Sequence, residues 1–259
     1  MPDPSRDAKF EAAQHWRQFL EWVDAHSGDP WLFRGHSNKA YELKPSIGRG
    51  KAKERRLEIE ALVGGDAEKR TLLQEEQSLF LEFRRLSHLF DDGRPKDDWA
   101  WLALAQHHGL PTRLLDWTSN PLIACYFAIE PSTESRDFPG EVVALSKIGI
   151  PQIDASHAQS SPFGIDHDVA LLSPSIAAPR LSAQRGFFTI HRDPFMPWSP
   201  KNPPEKFQIP SAMKPFFQRR LHYIGIDRAV IYCDLDALCH TLRWRHERGI
   251  GLGSGSGLI

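Results

Sequence analysis

The densest group of chemically capable side chains lies between residues 102 and 128 of the 259-residue sequence. An arginine there offers five donors that suit phosphate or carboxylate, a histidine can exchange protons near neutral pH, and a tryptophan provides a flat aromatic surface. An ordinary core segment does not need so many polar side chains, so the segment predicts a functional site. Its candidate residues are His107, His108, Arg113, Asp116, Trp117 and Thr118.

Three local elements are predicted to position this group. Helical spacing before residue 109, followed by Gly109 and Pro111, predicts a helix that ends at Gly109. The segment 113–117 then reads as a short strand. Asn120 or Ser119 before Pro121 is typical of an N-cap with proline at the first helical position. Helix, strand and helix therefore meet around residues 116–120.

Adjacent residues of a helix point about 100° apart, so at most one of the two histidines faces a site. His107, next to Gln106, is the better pocket candidate, whereas His108 is expected to cap the last carbonyls of its own helix. On the strand, alternation places Asp116 and Thr118 on one face and Trp117 on the other. Two interpretations of Trp117 stay open: it stacks on a base or nicotinamide ring, or it belongs to the core.

A second candidate, Arg34, stands at the end of the apolar strand 31–34. Gly35 beside it would let a ligand approach the backbone closely. Arg34 either binds a phosphate or carboxylate of a ligand, or pairs with Asp116 and joins two strands. Residue types and spacing favour the two interpretations equally. Glu75 and Glu76 are expected on the surface, although one could reach inward to Arg34.

Composition limits the class of protein. The net charge of −1 does not call for nucleic acid or a membrane surface as a partner, and no apolar run approaches the roughly 20 residues that span a bilayer. Cys125, Cys233 and Cys239 lie in apolar surroundings without metal-binding spacing, which favours buried, reduced thiols in a cytoplasmic protein and no metal site. Nuclease, GxSxG hydrolase and P-loop patterns are absent.

The remaining pattern predicts one α+β domain over residues 1–248, with a small mixed or antiparallel sheet flanked by helices, and a flexible Gly/Ser tail over residues 249–259. A polar segment at 150–179 is expected to cover the surface, and a proline-rich loop to span 193–204. Further helices are predicted within 10–23, 71–90, 213–221 and 236–248, and further strands at 140–145, 186–190 and 229–233.

Five ordered motifs give the chain a family resemblance: WLFRGHS, ELKPSIGR, the segment LALAQHHGLPTRLLDWTSNPLIACYFA, RLSAQRGFFTIH and LHYIGIDRAVIYCDLDALC. Together they resemble the FRG domain family, named after the Phe33-Arg34-Gly35 triplet, over about residues 31–242. The family is widespread in bacterial and phage-related contexts.

The motif order is also similar to that of ADP-ribosyltransferases, in which an arginine grips the phosphates of a dinucleotide, a Ser/Thr strand orders the site and a late glutamate holds the ribose. This resemblance implies NAD as cofactor and assigns the first role to Arg34 and the second to Asp116, Trp117 and Thr118. The third role falls on Gln184, whose amide can hydrogen-bond a ribose but cannot stabilise positive charge as a carboxylate does. Glu75, Glu76, Asp116 or Glu141 would then have to supply the acid.

The resulting expectation is a nucleotide-sized pocket formed by Arg34, Gly35, His107, Arg113, Asp116, Trp117, Thr118 and Gln184. The resemblance implies an ADP-ribosyltransferase-like toxin or phage-defence effector that binds a nucleotide or dinucleotide and acts on an unidentified protein or nucleic acid. The alternative is a non-catalytic domain that recognises nucleic acid or a protein partner.

Overall fold

A computed structural model of the protein describes residues 4–28, 30–49, 65–87, 89, 95, 97–130, 137–154, 161–173 and 186–251. Within these residues the helices are α1 Pro4–Ala25, α2 Gly65–Ser87, α3 Asp98–His107, α4 Pro121–Ile129, α5 Lys214–Tyr223, α6 Arg228–Tyr232 and α7 Leu235–Glu247. The strands are β1 Trp31–His36, β2 Leu114–Thr118, β3 Gly140–Ser146, β4 Gln152–Asp154, β5 Val169–Ser173, β6 Gly186–His191 and β7 Glu205–Ile209. Short 3₁₀ turns occupy Ser46–Gly48 and Ser211–Met213.

The strands form one open, mixed sheet in the order β4-β5-β6-β2-β1-β3-β7. The pair β4/β5 is parallel and the other pairs are antiparallel. The predicted α+β class is therefore confirmed. The sheet, with seven strands among the described residues, is larger than the small sheet that the sequence predicted.

The central strands differ in the number of residues through which they pair. β1 pairs with β3 over six residues, from Trp31 to His36, and β2 pairs with β6 over five. β1 and β2 share a single register pair, Phe33 with Thr118. Beyond that pair the two strands separate, which leaves an opening in the middle of the sheet.

Among the described residues three apolar clusters pack against the sheet, and helices contribute to two of them. One cluster joins α1, α4 and α5 to β1 and β3, with Phe19, Ala124 and Phe217 fully buried. A second packs α2 and α3 against β2, β5 and β6. The third includes Leu32, Leu115 and Trp117. Helix α4 begins as predicted, since the Asn120 side chain accepts a hydrogen bond from the amide of Leu122 and Pro121 follows.

Three sequence predictions were wrong. The segment 150–179 does not only cover the surface, because β4 and β5 lie in it and Ala170, Leu171 and Leu172 are buried. The segment 229–233 lies largely in helix α6, which the side chain of Asp227 caps. Of the three cysteines, Cys125 is buried but Cys233 and Cys239 are exposed. Strand β7, directly after the predicted proline-rich loop, was missed.

Candidate functional site

The opening between β1 and β2 is a cleft of about 290 Å³. Its walls come from β1, β2, α3 and α4, together with the segment after β1. The lining residues are Phe33, Arg34, Gly35, His36, Ser37, Tyr41, Arg49, Gln106, His107, Asp116, Trp117, Thr118, Ala124, Phe127 and Phe188. Six of the predicted site residues, Arg34, Gly35, His107, Asp116, Trp117 and Thr118, therefore border one cavity.

Arg34 lies across the gap between the two strands. Its Nη1 donates a hydrogen bond to the backbone carbonyl of Asp116 at 2.6 Å, and lies 3.7 Å from the Asp116 carboxylate. The side chain thus supplies a hydrogen bond where the β1/β2 ladder is missing. Arg34 is 11 % exposed, and burial, followed by the nearby Arg49, lowers its pKa to about 10. The pairing of Arg34 with Asp116 is therefore observed. Arg34 also lines the cleft, and its binding of a ligand stays a prediction.

His36 holds the other side of the Arg34 guanidinium. The Nε of Arg34 donates to Nε2 of His36 at 3.2 Å, so Nε2 must be unprotonated. Burial first, and then the charges of Arg34 and Arg49, lower the pKa of His36 to about 2, which keeps this imidazole neutral at physiological pH. Its Nδ1 lies 4.0 Å from the buried carboxylate of Glu141, which accepts a hydrogen bond from Lys206 at 2.9 Å.

Arg49 is a second arginine of the cleft, and the sequence reasoning did not select it. Its Nε donates to the carbonyl of Lys44 at 2.6 Å, which fixes the base of the guanidinium. Among the described residues neither of its terminal nitrogens has a hydrogen-bonding partner. Burial lowers the pKa of Arg49. Its place at the end of the ELKPSIGR motif was the available signal, but only the fold brings that motif beside β1.

Asp116 provides the carboxylate of the cleft. Its side chain is 57 % exposed, and Oδ2 accepts a hydrogen bond from Nε2 of Gln106 at 2.8 Å. Gln106 is oriented in turn by Thr112, whose hydroxyl donates to Oε1 at 2.7 Å. Helix α3 therefore holds the carboxylate through Gln106, and His107 borders the cleft from the same helix. His108 is the C-cap residue of α3, as expected.

Trp117 and Thr118 are held by the protein itself. Trp117 is 2 % exposed, and its indole Nε1 donates to Thr189 Oγ1 at 3.0 Å, so most of its ring belongs to the core. Thr189 also contacts His191, whose pKa burial and the charges of Arg34 and Arg113 lower to about 3. Thr118 accepts a hydrogen bond from the amide of Asn120 and so shapes the turn into α4.

Gly35 serves packing as well as access. A Cβ at this position would overlap the backbone carbonyl of Ala124 and the backbone nitrogen of Ala128. Only glycine lets α4 lie this close to β1. The close packing of a helix thus accounts for Gly35, and the approach of a ligand to its backbone stays a prediction.

Two predicted residues are not placed in the cleft. Arg113 is fully buried away from it, where its Nε and Nη2 bond both carboxylate oxygens of Glu76 and its guanidinium lies 4.8 Å from the ring centre of Phe163. The same contact corrects the expectation that Glu76 is a surface charge or a partner of Arg34. Gln184 lies outside the described residues.

The described lining of the cleft thus carries two arginines, one carboxylate and two histidines, of which His36 is buried and neutral. This balance favours an anionic ligand. Among the described residues no group of three or more His, Cys, Asp or Glu side chains is placed to hold a metal ion. No helix in the described part of the chain combines the length and apolarity that crossing a membrane requires.

Comparison with known families gives one match, to the FRG domain over residues 29–137. The chain contains an FRG domain. Its matched span holds every described residue that lines the cleft except Phe188, which comes from β6. No curated protein and no solved structure matches the chain.

Proposed function

We propose that the cleft of the FRG domain binds a nucleotide through its phosphates, that the ligand is NAD, and that the protein transfers ADP-ribose. The observation that carries the proposal is the convergence of Arg34 and Arg49 on one cleft. The described lining sets one carboxylate, Asp116, against these two guanidinium groups, so an anionic ligand would balance the remaining positive charge. Planar donor forks suit phosphate oxygens.

The size of the cleft limits how such a ligand would bind. A volume of about 290 Å³ is at the lower end of the range for ligand pockets. It suits the phosphate and ribose part of a nucleotide, while the remainder of a dinucleotide would extend through the open side. The phosphates would lie between the terminal nitrogens of Arg49 and the face of Arg34 turned away from Asp116.

The order of the strands supports the comparison with ADP-ribosyltransferases. The strands that carry the three compared motifs are β1, β2 and β6, and they are consecutive in the sheet. Gly186, the first residue of β6, pairs with Thr118 at the end of β2 that borders the cleft. Gln184 precedes this strand by two residues. Strands β1 and β2 and the strand that follows Gln184 are therefore neighbours in the sheet.

In the proposed reaction the bond between ribose C1′ and the nicotinamide nitrogen breaks, and nicotinamide leaves with the bonding electrons. An acceptor oxygen or nitrogen then attacks C1′ and loses its proton to solvent. The positive charge that develops on the ribose needs a carboxylate nearby. Asp116, held by Gln106, is the described lining residue that can supply it.

Binding is tested by calorimetry and thermal shift with NAD, ADP-ribose, ATP and nicotinamide. A ligand that binds only the folded protein raises the melting temperature by mass action. We expect NAD and ADP-ribose to stabilise the protein and nicotinamide alone to have no effect, because the contacts proposed are to the phosphates. Absence of binding by all the phosphate-bearing ligands would contradict the proposal.

Transfer is tested separately, by release of nicotinamide from labelled NAD and by incorporation of label into bacterial lysate proteins and nucleic acids. Asp116→Asn should abolish release while leaving NAD affinity within a few-fold of wild type. NAD binding without release by the wild type would favour the alternative, a non-catalytic binding domain. That alternative is supported by the neutral amide of Gln184 at the position compared with a glutamate.

The proposed role of a toxin or phage-defence effector acting in the bacterial cytoplasm follows from the same activity, since modification of a host macromolecule would arrest growth. Induced expression in a bacterial host should slow growth for the wild type and not for Asp116→Asn. Equal growth of the two strains at equal protein levels would contradict this role.

A further inference from the structure

A second concave surface lies between helices α5 and α7, and all its lining residues except Ile129 follow the span matched to the FRG domain. Its volume is about 430 Å³, larger than that of the cleft. We call it the basic groove. The polar and aromatic side chains that line it and bear on its chemistry are Lys214, Gln218, His240, Arg243, Trp244 and Arg248.

The basic groove concentrates positive charge on a chain whose net charge is −1. Residues 211–248 contain seven lysines and arginines against four acidic residues. Glu247 is the one carboxylate in the described lining. Arg243 and Arg248 are exposed and form no ion pair within the described part of the chain. Burial, and then the charges of Arg228 and Arg243, lower the pKa of His240.

Two acidic side chains near these helices are engaged elsewhere. Asp227 caps α6 and contacts His222, and Asp234 caps α7 by accepting from the amide of Ala237. Among the described lining residues, Glu247 alone offsets the charges of Lys214, Arg243 and Arg248, so the basic groove keeps an excess of positive charge.

One contact connects the basic groove with the cleft. Lys214 is buried beneath the groove, and its ammonium donates to the backbone carbonyl of Ser37 at 2.7 Å. Ser37 itself lines the cleft. A molecule held in the groove would consequently lie next to the site at which we propose NAD to bind.

The lining combines unpaired arginines with an amide and an aromatic ring. Arginine binds phosphate oxygens, and a half-buried tryptophan such as Trp244 can stack on a base. Arg243 lies in α7 and Arg248 is its C-cap residue, five positions later, so the two charges can contact different phosphates. A single strand exposes its bases for such stacking.

We propose that the basic groove binds the sugar-phosphate backbone of a single-stranded nucleic acid. Arg243 and Arg248 contact the phosphates, and Trp244 contacts a base. Binding here does not depend on NAD. Only the further step, in which the bound strand is the acceptor of ADP-ribose, rests on the proposed function of the cleft.

The test is fluorescence anisotropy of a labelled 20-nucleotide single strand at several salt concentrations, with wild type and Arg243→Gln/Arg248→Gln. The matched control is Lys9→Gln/Arg17→Gln, which removes the same charge from the exposed face of α1. We expect the groove variant to lose roughly tenfold in affinity at low salt, and the slope of log affinity against log salt to become shallower by about 1.4. The control should bind as wild type does.

Three outcomes would overturn the inference: no binding by the wild type at low salt, equal losses in both double variants, or complete competition by poly-glutamate, which would identify an acidic protein as the partner. Calorimetry with NAD separates this result from that of the cleft. The groove variant should bind NAD as wild type does, and Arg49→Gln should bind the oligonucleotide as wild type does. If one of the two proposed sites does not bind its ligand, binding at the other site can still be measured.

Discussion

Arg34 and Arg49 bring the same charge to the cleft but are held there differently. Arg34 bonds His36 and the Asp116 carbonyl, so its removal takes away a contact between β1 and β2 as well as a possible ligand contact. Among the described residues, Arg49 has one hydrogen bond to the protein, from Nε. Weaker ligand binding by an Arg34 variant would therefore reflect both the lost contact between the strands and the lost contact with the ligand. Substitution of Arg49 tests the ligand contact more directly.

Arg49→Gln should weaken NAD binding by about tenfold or more, because a charge-assisted phosphate contact contributes roughly 1.5–3 kcal/mol. The melting temperature should stay close to that of wild type, since a single hydrogen bond to Lys44 is lost. Calorimetry and thermal melts measure the two quantities, with Arg192→Gln as an exposed control. Unchanged NAD affinity would remove Arg49 from the binding site.

The location of Arg113 could not be predicted from residue types alone. Its neighbours in sequence suggested the cleft, but the partner that fixes its role, Glu76, is in another helix. Glu76→Ala should destabilise the fold by about 3–5 kcal/mol, because it leaves a buried guanidinium unpaired. Chemical denaturation measures the loss, and Glu75→Ala serves as the neighbouring control. A loss below about 1 kcal/mol would contradict the structural role.

At the scale of elements, α4 was predictable and α6 was not. Asn120 and Pro121 are local signals, and the structure confirms the helix that they begin. In α6 the β-branched residues favoured a strand, but the cap by Asp227 and packing against α7 decide the conformation. The short strands β4 and β5 were hidden in a polar segment, because β4 has only three residues and pairs with β5 of the same segment.

The contact between α4 and β1 gives a test at this scale. Gly35→Ala should destabilise the protein by about 1–3 kcal/mol or more, because the added methyl group overlaps the backbone of α4. Gly164→Ala is the control, since a Cβ there meets only a carbonyl oxygen at 3.9 Å. Denaturation curves that coincide for Gly35→Ala and wild type would show that the helix does not approach the strand as described.

At the scale of the whole molecule, burial of neutral histidines should make the fold sensitive to acid. The pKa values of His36 and His191 are lowered to about 2 and about 3, whereas an unfolded histidine titrates near 6.5. As the pH falls below about 6.5, the unfolded chain takes up protons that the folded protein does not, so stability is full above that pH and declines toward acid.

Each of these histidines should contribute up to about 1.4 kcal/mol per pH unit to the decline between pH 6 and pH 4.5. His36→Gln should therefore flatten the dependence of unfolding free energy on pH, while substitution of the exposed His246 by Gln should not. Denaturant titrations across this range measure the slopes. Identical slopes for wild type and His36→Gln would contradict the neutral state of His36.

The pairing of strands in the sheet also explains which residues of the site could be predicted from the sequence. Arg34 and Asp116 are 82 positions apart, and their candidacy came from residue type and family resemblance. Their contact depends on the single-pair junction of β1 and β2, which no local pattern encodes. For the same reason Arg49 and His36 were missed, since each matters only through its neighbours in the folded sheet.

The central claim is that Arg34 and Arg49 bind the phosphates of a nucleotide between β1 and β2. The crystal structure of the protein with ADP-ribose tests it most directly. We expect phosphate oxygens within about 2.7–3.2 Å of guanidinium nitrogens of both arginines. Ligand density at another surface, or a phosphate group that contacts neither arginine, would contradict the claim.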